Sequence, residues 1–343
     1  MTYQEMIANA KERMNGKCLH CAVCDGVACK GVNPGPGARG SGDAFTRNYR
    51  KLQEIKIQTA PIYESCAVST EADFFGHSMK YPVLVAPIGS VDAYYGEYYD
   101  DKRYTMDLLM GAKEAGIVAL TGDGPKPTTF FDPMEAVKAS GVGVPTFKPR
   151  NLEDAKKRIA IAEENGAIAI AVDIDTLGIA ALRNLNPPVK AQTVEELAAI
   201  RSLTDLPFIV KGVMNVKTAQ KAVEAGASAI VVSTHGGRVQ DQLPAAAEML
   251  PAIADAVGDK VMVMADGGVR SGNDVFKLLA LGADMVLIGR PYVTAVYGGG
   301  PEGVVLYTEK IGQELLDTMY MTGAATVKDI DRSMIYWPEH HYF

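Results

Sequence analysis

The chain has 343 residues, 48% hydrophobic and 22% charged, with a formal net charge of −7. That composition fits a folded, enzyme-sized protein and argues against disorder. The acidic balance argues against nucleic acid or an anionic membrane as the main partner, and no apolar run approaches the roughly 20 residues of a spanning helix.

The first segment, MTYQEMIANAKERMNGK, lacks the apolar core of a signal peptide, so a cytoplasmic protein is expected. CLHCAVCDGVAC follows and crowds Cys18, Cys21, Cys24 and Cys29 together, with Cys66 alone further on. In a cytoplasmic chain this suggests metal, iron–sulfur or redox chemistry more than structural disulfides. The spacing C-x2-C-x2-C-x4-C suits four thiolate ligands for an iron–sulfur cluster or zinc, with His20 able to replace one. It departs from the ferredoxin run, which ends in x3-C-P, and a zinc site normally pairs two separated knuckles. The alternative is four unligated or redox-active thiols in a mobile arm. NPGPGARGSG (33–42) reads as loop.

From about residue 83 short apolar runs alternate with helical patterns. The runs are VLVAPIG (83–89), IVALTGD (117–123), VPTFKP (144–149), AIAIAVDID (167–175), FIVKGV (208–213), AIVVSTHGG (229–237), VMVMADGG (261–268) and MVLIGR (285–290). They are rich in Val, Ile and Ala without polar alternation, as expected of strands buried on both faces of a parallel sheet. The segments between them, such as NVKTAQKAVEAGAS and SGNDVFKLLALGAD, are amphipathic and close on Gly. Eight strands, each followed by a helix, predict an α/β fold, a (β/α)8 TIM barrel. A doubly wound sheet is the alternative, but no glycine fingerprint follows the first strand. Residues 1–80 are then a lead-in carrying the cysteines, and 81–343 a barrel whose tail, from about 303, forms helices packed outside.

Catalytic groups of such barrels sit where strands end. Strand five ends in Lys211, strand six in His235 and Arg238, strand seven in DGGVRSG (266–272) and strand eight in GRP (289–291). The last two loops carry glycines, Arg270 and Arg290, and predict a phosphate site on backbone amides and a helix N-terminus. Tight turns with arginines paired to surface carboxylates are the bland alternative. Lys211 inside an apolar strand is either half of a buried ion pair or a cation set against developing negative charge. A lone histidine is more often a satisfied core residue. His235 at a strand end, with Arg238 three residues on, instead pairs a general base with a planar fork for a carboxylate.

The segments IVKGVMNVKTAQKAVEAGASAIVVSTHGGR, DGGVRSGNDVFKLLALGAD and IGRP resemble the FMN-dependent α-hydroxy-acid oxidases and dehydrogenases, such as glycolate oxidase, lactate oxidase and flavin L-lactate dehydrogenase. The resemblance is close over roughly 205–300 and looser back to about residue 44. It implies FMN in the barrel and oxidation of an L-2-hydroxy acid to the 2-keto acid, with L-lactate the first substrate expected. His235 would take the hydroxyl or α-carbon proton, Arg238 would bind the substrate carboxylate, and Asp173 would orient the histidine. Lys211 would sit by the flavin N1/O2 edge and Ser233 would join the cofactor site. Asp266, Gly267, Gly268, Arg270, Gly289 and Arg290 would cradle the phosphate. Pro87, Ile88 and Gly89 would lie along the ring, and Thr121 would hydrogen-bond it. A homo-oligomer is the family expectation.

Departures accompany the resemblance. The family's tyrosine after strand three lies in a Gln-Leu-Tyr motif, whereas this chain reads VPTFKPR, with Phe147 near that position and no hydroxyl to donate. The lead-in tyrosine has no counterpart, and Arg183 is a poor substitute for the arginine after strand four. The connection at about 176–207 is shorter than the family's lid and implies a small substrate. A cluster at the cysteines would offer an electron exit other than O2, toward an acceptor protein. Two other readings compete: another FMN barrel, such as a type 2 isopentenyl diphosphate isomerase, and a low-turnover flavin or iron–sulfur redox protein. The isomerase has no need of the His235–Arg238 pairing. An inosine-monophosphate-dehydrogenase-like enzyme would need a cysteine after strand six, and none lies beyond residue 66.

Overall fold

The computed structural model describes residues 1–32 and 35–338; Asn33 and Pro34 of the predicted loop and residues 339–343 lie outside them. Eight short, fully or almost fully buried strands carry the predicted runs: β1 (Val83–Val85), β2 (Val118–Thr121), β3 (Gly143–Phe147), β4 (Ile170–Asp173), β5 (Phe208–Val213), β6 (Ala229–Val232), β7 (Met262–Ala265) and β8 (Met285–Ile288). They pair in parallel in the cyclic order β7-β8-β1-β2-β3-β4-β5-β6 and close a barrel. The β-branched and alanine side chains fill it from both sides, which is why no polar alternation marks the sequence. Register sets Asp173 beside Lys211 across the β4–β5 pair. Two opposite charges are thereby buried next to each other at the strand ends.

The surrounding helices start on polar caps. Asn151, Asn215 and Ser271 accept from the third helical amide of the helices that follow β3, β5 and β7, satisfying donors that a helix start leaves unpaired.

In the lead-in, helix α1 (Tyr3–Arg13) opens on a capping box between Thr2 and Glu5. Helix α2 (Asp43–Glu54) buries Ala44, Phe45, Asn48 and Leu52 and lies across the ends of β6 and β7. The Asn48 amide donates to Thr234 Oγ1 at 2.8 Å, and its carbonyl accepts from the Ala246 amide at 2.9 Å. Arg47 grips Glu248 with two bonds of 2.7 Å. Further on, Lys56–Ile57 pairs antiparallel with Ile335–Tyr336.

The C-terminal helix α3 (Arg290–Thr322) starts earlier than the predicted tail, immediately after β8, with Gly289 as N-cap and Pro291 in its first turn. It breaks at Gly300 (φ 56°), just before Pro301. This start puts the positive end of a 33-residue helix at the strand-eight loop.

Candidate active site

At the C-terminal ends of β4 to β7 four predicted residues meet in one buried network. Lys211 Nζ lies 3.3 Å from Asp173 Oδ1 and 3.9 Å from Asp266 Oδ2, and donates to Ser233 Oγ at 3.2 Å. Ser233 donates to Asp266 Oδ2 at 2.8 Å and accepts from the His235 amide at 3.0 Å. Burial alone would raise the Asp173 carboxyl, but the charges of Lys211, His235 and Lys148 hold it below its ordinary range. Burial opposes the Lys211 ammonium too, and Asp173, Asp266 and Asp175 keep it charged above the usual lysine range. For Asp266 burial wins and the carboxyl is pushed up. Lys211 is thus half of a buried ion pair with Asp173, with Asp266 also close by.

His235, Gly236 and Gly237 follow Thr234 with φ of 53°, 62° and 77°. Left-handed backbone at a histidine costs about 1–3 kcal/mol and persists only where the surroundings enforce it. Gly236 is required twice over, because a Cβ there would stand 2.7 Å from Arg290 Nη1. The turn brings His235 Nδ1 to 3.0 Å from Asp175 Oδ1. A carboxylate offers only acceptors, so Nδ1 carries a proton, and in the neutral imidazole Nε2 then holds the lone pair. The bond comes from Asp175, not from the expected Asp173, whose oxygen stays at 3.8 Å because it is drawn to Lys211.

Arg238 donates to the Gly35 carbonyl at 2.9 Å and to the Tyr95 hydroxyl at 3.1 Å, and its guanidinium lies 4.6 Å over the Tyr94 ring. Having accepted from Arg238, the Tyr95 oxygen keeps its own proton for a further acceptor.

Next to it, Arg290 donates to the carbonyls of Pro36, Gly37 and Gly236 and stacks 3.8 Å from the Phe45 ring. Burial, then repulsion from Arg238 and Arg270, brings its pKa down to about 10. Arg270 donates to the Cys24 carbonyl at 3.0 Å. Among the described residues no carboxylate pairs with the guanidinium of Arg238, Arg270 or Arg290. Three arginines held by carbonyls and rings leave uncompensated positive charge, the requirement of an anion site.

These groups line one groove together with Pro87, Ile88, Gly89, Gly267, Gly268 and Gly289. FMN fits it on two observations. The three arginines crowd one end with no counter-ion, and Gly267, Gly268 and Gly289 line the same groove without a side chain; the Thr121 hydroxyl, buried at the end of β2 without a protein partner, is not part of the lining. Gly268 (φ 82°) has a second reason to be glycine, since a Cβ would stand 2.6 Å from the Asn48 carbonyl of α2.

Phe147 does not line the groove; it packs edge-to-face on Phe130 at 6.3 Å, fully buried. The next residue, Lys148, lines it instead, donating to the Asp123 carbonyl at 2.6 Å and lying 3.8 Å from Asp173 Oδ2. Arg183 is exposed and bonds the Leu177 carbonyl, while Ile179, Ala181 and Leu182 of the same connection face the groove. Sequence reasoning passed over Asp175, Tyr94, Tyr95 and Lys148. The tyrosine-rich YYGEYY and the doubled aspartate of DID were the available signals.

The four clustered cysteines are free thiols. Among the described residues the group whose ligand atoms all lie within 4.8 Å is Asp173, Asp175 and His235, so no three cysteine sulfurs gather tightly enough for a single ion. No helix among the described residues is long and apolar enough to cross a membrane.

Comparison with known proteins adds a consistent picture. A family profile described as FMN-dependent dehydrogenase matches residues 36–185 and 180–337. The chain is 34% identical to an L-lactate oxidase of Lactobacillus jensenii, covering 78% of this chain and 71% of that one. It is 36% identical to an L-lactate dehydrogenase of Caulobacter vibrioides (85% and 89% covered) and 30% identical to a 4-hydroxymandelate oxidase of Amycolatopsis orientalis (85% and 89%). Among solved structures, a mandelate oxidase variant with (S)-mandelic acid superposes with a TM-score of 0.79 at 28% identity, over 96% of this chain and 98% of that one.

Proposed function

The chain belongs to the FMN-dependent α-hydroxy-acid oxidases and dehydrogenases, and on that premise we propose that it oxidises a small L-2-hydroxy acid, L-lactate first, to the 2-keto acid. The carrying observation is His235 fixed by Asp175 at 3.0 Å with Arg238 and Tyr95 in the same groove. Bound FMN supplies the two-electron acceptor. Arg238 and the free Tyr95 proton bind the substrate carboxylate, a charge-assisted pair that fixes the acid's orientation. His235 Nε2 takes the proton from the oriented acid, and Asp175 stabilises the imidazolium that results. Lys211, kept charged at the groove by Asp173 and Asp266, would stabilise the negative charge that bound FMN acquires on reduction. Arg270 and Arg290, with the amides of Gly267, Gly268 and Gly289, hold the phosphate. Ile179, Ala181 and Leu182 line the groove with aliphatic side chains, and the short connection that carries them supports a small acid over an aromatic one.

The test is an anaerobic visible spectrum of the purified protein titrated with L-lactate and, separately, with (S)-mandelate. Lactate is expected to bleach the flavin band at the lower concentration. A yellow protein that only mandelate bleaches would move the substrate to the aromatic class.

Two substitutions probe the carboxylate site. Arg238→Lys replaces a fork by a point charge and is expected to raise KM for the acid by about 10–100-fold, the worth of a hydrogen bond to a charged group. Tyr95→Phe is expected to raise KM about 10-fold with FMN content unchanged. An unchanged KM in both would place the carboxylate elsewhere.

A further inference from the structure

The cysteine loop is the one motif the hydroxy-acid site does not use, and it encloses a cavity of about 330 Å³ lined by Cys18, Cys21, Cys24 and Cys29 together. Arg270, Arg290 and Phe45 form the wall between this cavity and the flavin groove. We propose that the four cysteines ligate a four-iron iron–sulfur cluster in this cavity. A single zinc ion would draw four sulfurs to about 2.3 Å from one point, and no three of them lie within 4.8 Å of one another among the described residues. A cubane spreads its four thiolates around a much larger core, and the cavity that the four cysteines line has that room.

Charge favours the same occupant. Four thiolates around such a core carry net negative charge. The arginine wall offers cations without carboxylate partners: Arg270 Nη2 lies 3.5 Å from Cys24 Sγ and its Nε donates to the Cys24 carbonyl at 3.0 Å. Hydrogen bonds to ligand sulfur are among the levers that set a cluster's potential. Each cysteine gives up its Sγ proton to solvent as it bonds to an iron of the preassembled cluster and displaces that iron's previous ligand, and no electron moves in this exchange. The inference rests on the FMN reading only for what lies across the arginine wall.

The full chain purified without oxygen should hold about four irons and four acid-labile sulfides alongside its FMN, with a paramagnetic signal after dithionite reduction. Cys21→Ser and Cys24→Ser should lose iron and sulfide and keep the flavin, while Cys66→Ser keeps both. Retained flavin absorbance in the serine variants shows that they are folded. Flavin-replete protein with no iron or sulfide, even after anaerobic incubation with ferric iron, a thiol reductant and sulfide, would overturn the cluster. Stoichiometric zinc without sulfide would overturn it as well. An iron- and sulfide-loaded protein without flavin would keep the cluster and overturn the FMN reading.

Discussion

His235→Ala is expected to yield a yellow protein whose flavin L-lactate no longer reduces at a useful rate, a loss of about 10²–10⁴-fold, the usual share of a positioned general base. The imidazole lines the groove beside Arg238 and would offer its free nitrogen to the acid that Arg238 holds. Its other nitrogen is occupied by Asp175 at 3.0 Å. Nothing that holds the phosphate end changes, because Arg270, Arg290 and the glycine loops bind through other atoms. The backbone is the one complication: residue 235 has φ of 53°, which alanine accepts less readily than asparagine. His235→Asn is therefore the companion variant, folding with less strain and equally without the base. Anaerobic stopped-flow reduction measures both. A rate within about 10-fold of the parent would assign the proton to another group, with Lys148 the next to test.

Asp175→Asn follows the same logic one step out. The amide can present either its oxygen or its NH2 to Nδ1, so the tautomer is no longer fixed, and the reduction rate should fall with KM nearly unchanged.

The barrel was legible in the sequence because its strands obey a local rule. Runs such as AIVV and MVLI can only be buried on both faces, and a Gly or charged residue marks where each one ends. Lys211, His235, Arg238, Arg270 and Arg290 were legible for the same reason, since each lies at or just beyond a strand end. What escaped depends on side-chain direction and on distant segments. Asp173 and Asp175 are two residues apart, and only the pull of Lys211 on the first decides which one reaches His235. Phe147 is the last residue of β3 and points into the core, while Lys148, the first residue past the strand, lines the groove; motif position suggested the first. Tyr95 comes from a short helix after β1 and meets Arg238 across 143 residues of sequence. Gly268 reads as a phosphate turn, yet its space is also fixed by Asn48, which no local pattern links to it.

Lys211→Met tests the buried charge network most severely. Lys211 is 2% exposed and serves Asp173, Asp266 and Ser233 at once. Methionine fills its volume but leaves two buried carboxylates short of their counter-charge, and removing one partner of a buried pair costs about 3–5 kcal/mol. The pH dependence separates this cause from a packing defect. In the parent, Asp173 is held below its ordinary range, so its contribution is present above the unfolded value near 3.9 and is lost as pH falls through the lower folded value. Lys211, held above its ordinary range, keeps its contribution below about 10.4 and loses it only in alkali. The pair therefore contributes no pH dependence of its own between about pH 5 and 8, and any parental slope there comes from Asp266, which burial already pushes up. Without the ammonium, burial dominates both carboxyls and raises them, so the folded variant binds protons more readily than the unfolded chain. Its stability should then rise as pH falls from 8 to 5. Urea unfolding midpoints of parent and variant at those two pH values make the comparison, with flavin content read in the same samples. A deficit equal at both values would mean that the loss comes from packing, and that Lys148 and His235 alone suffice to balance Asp173.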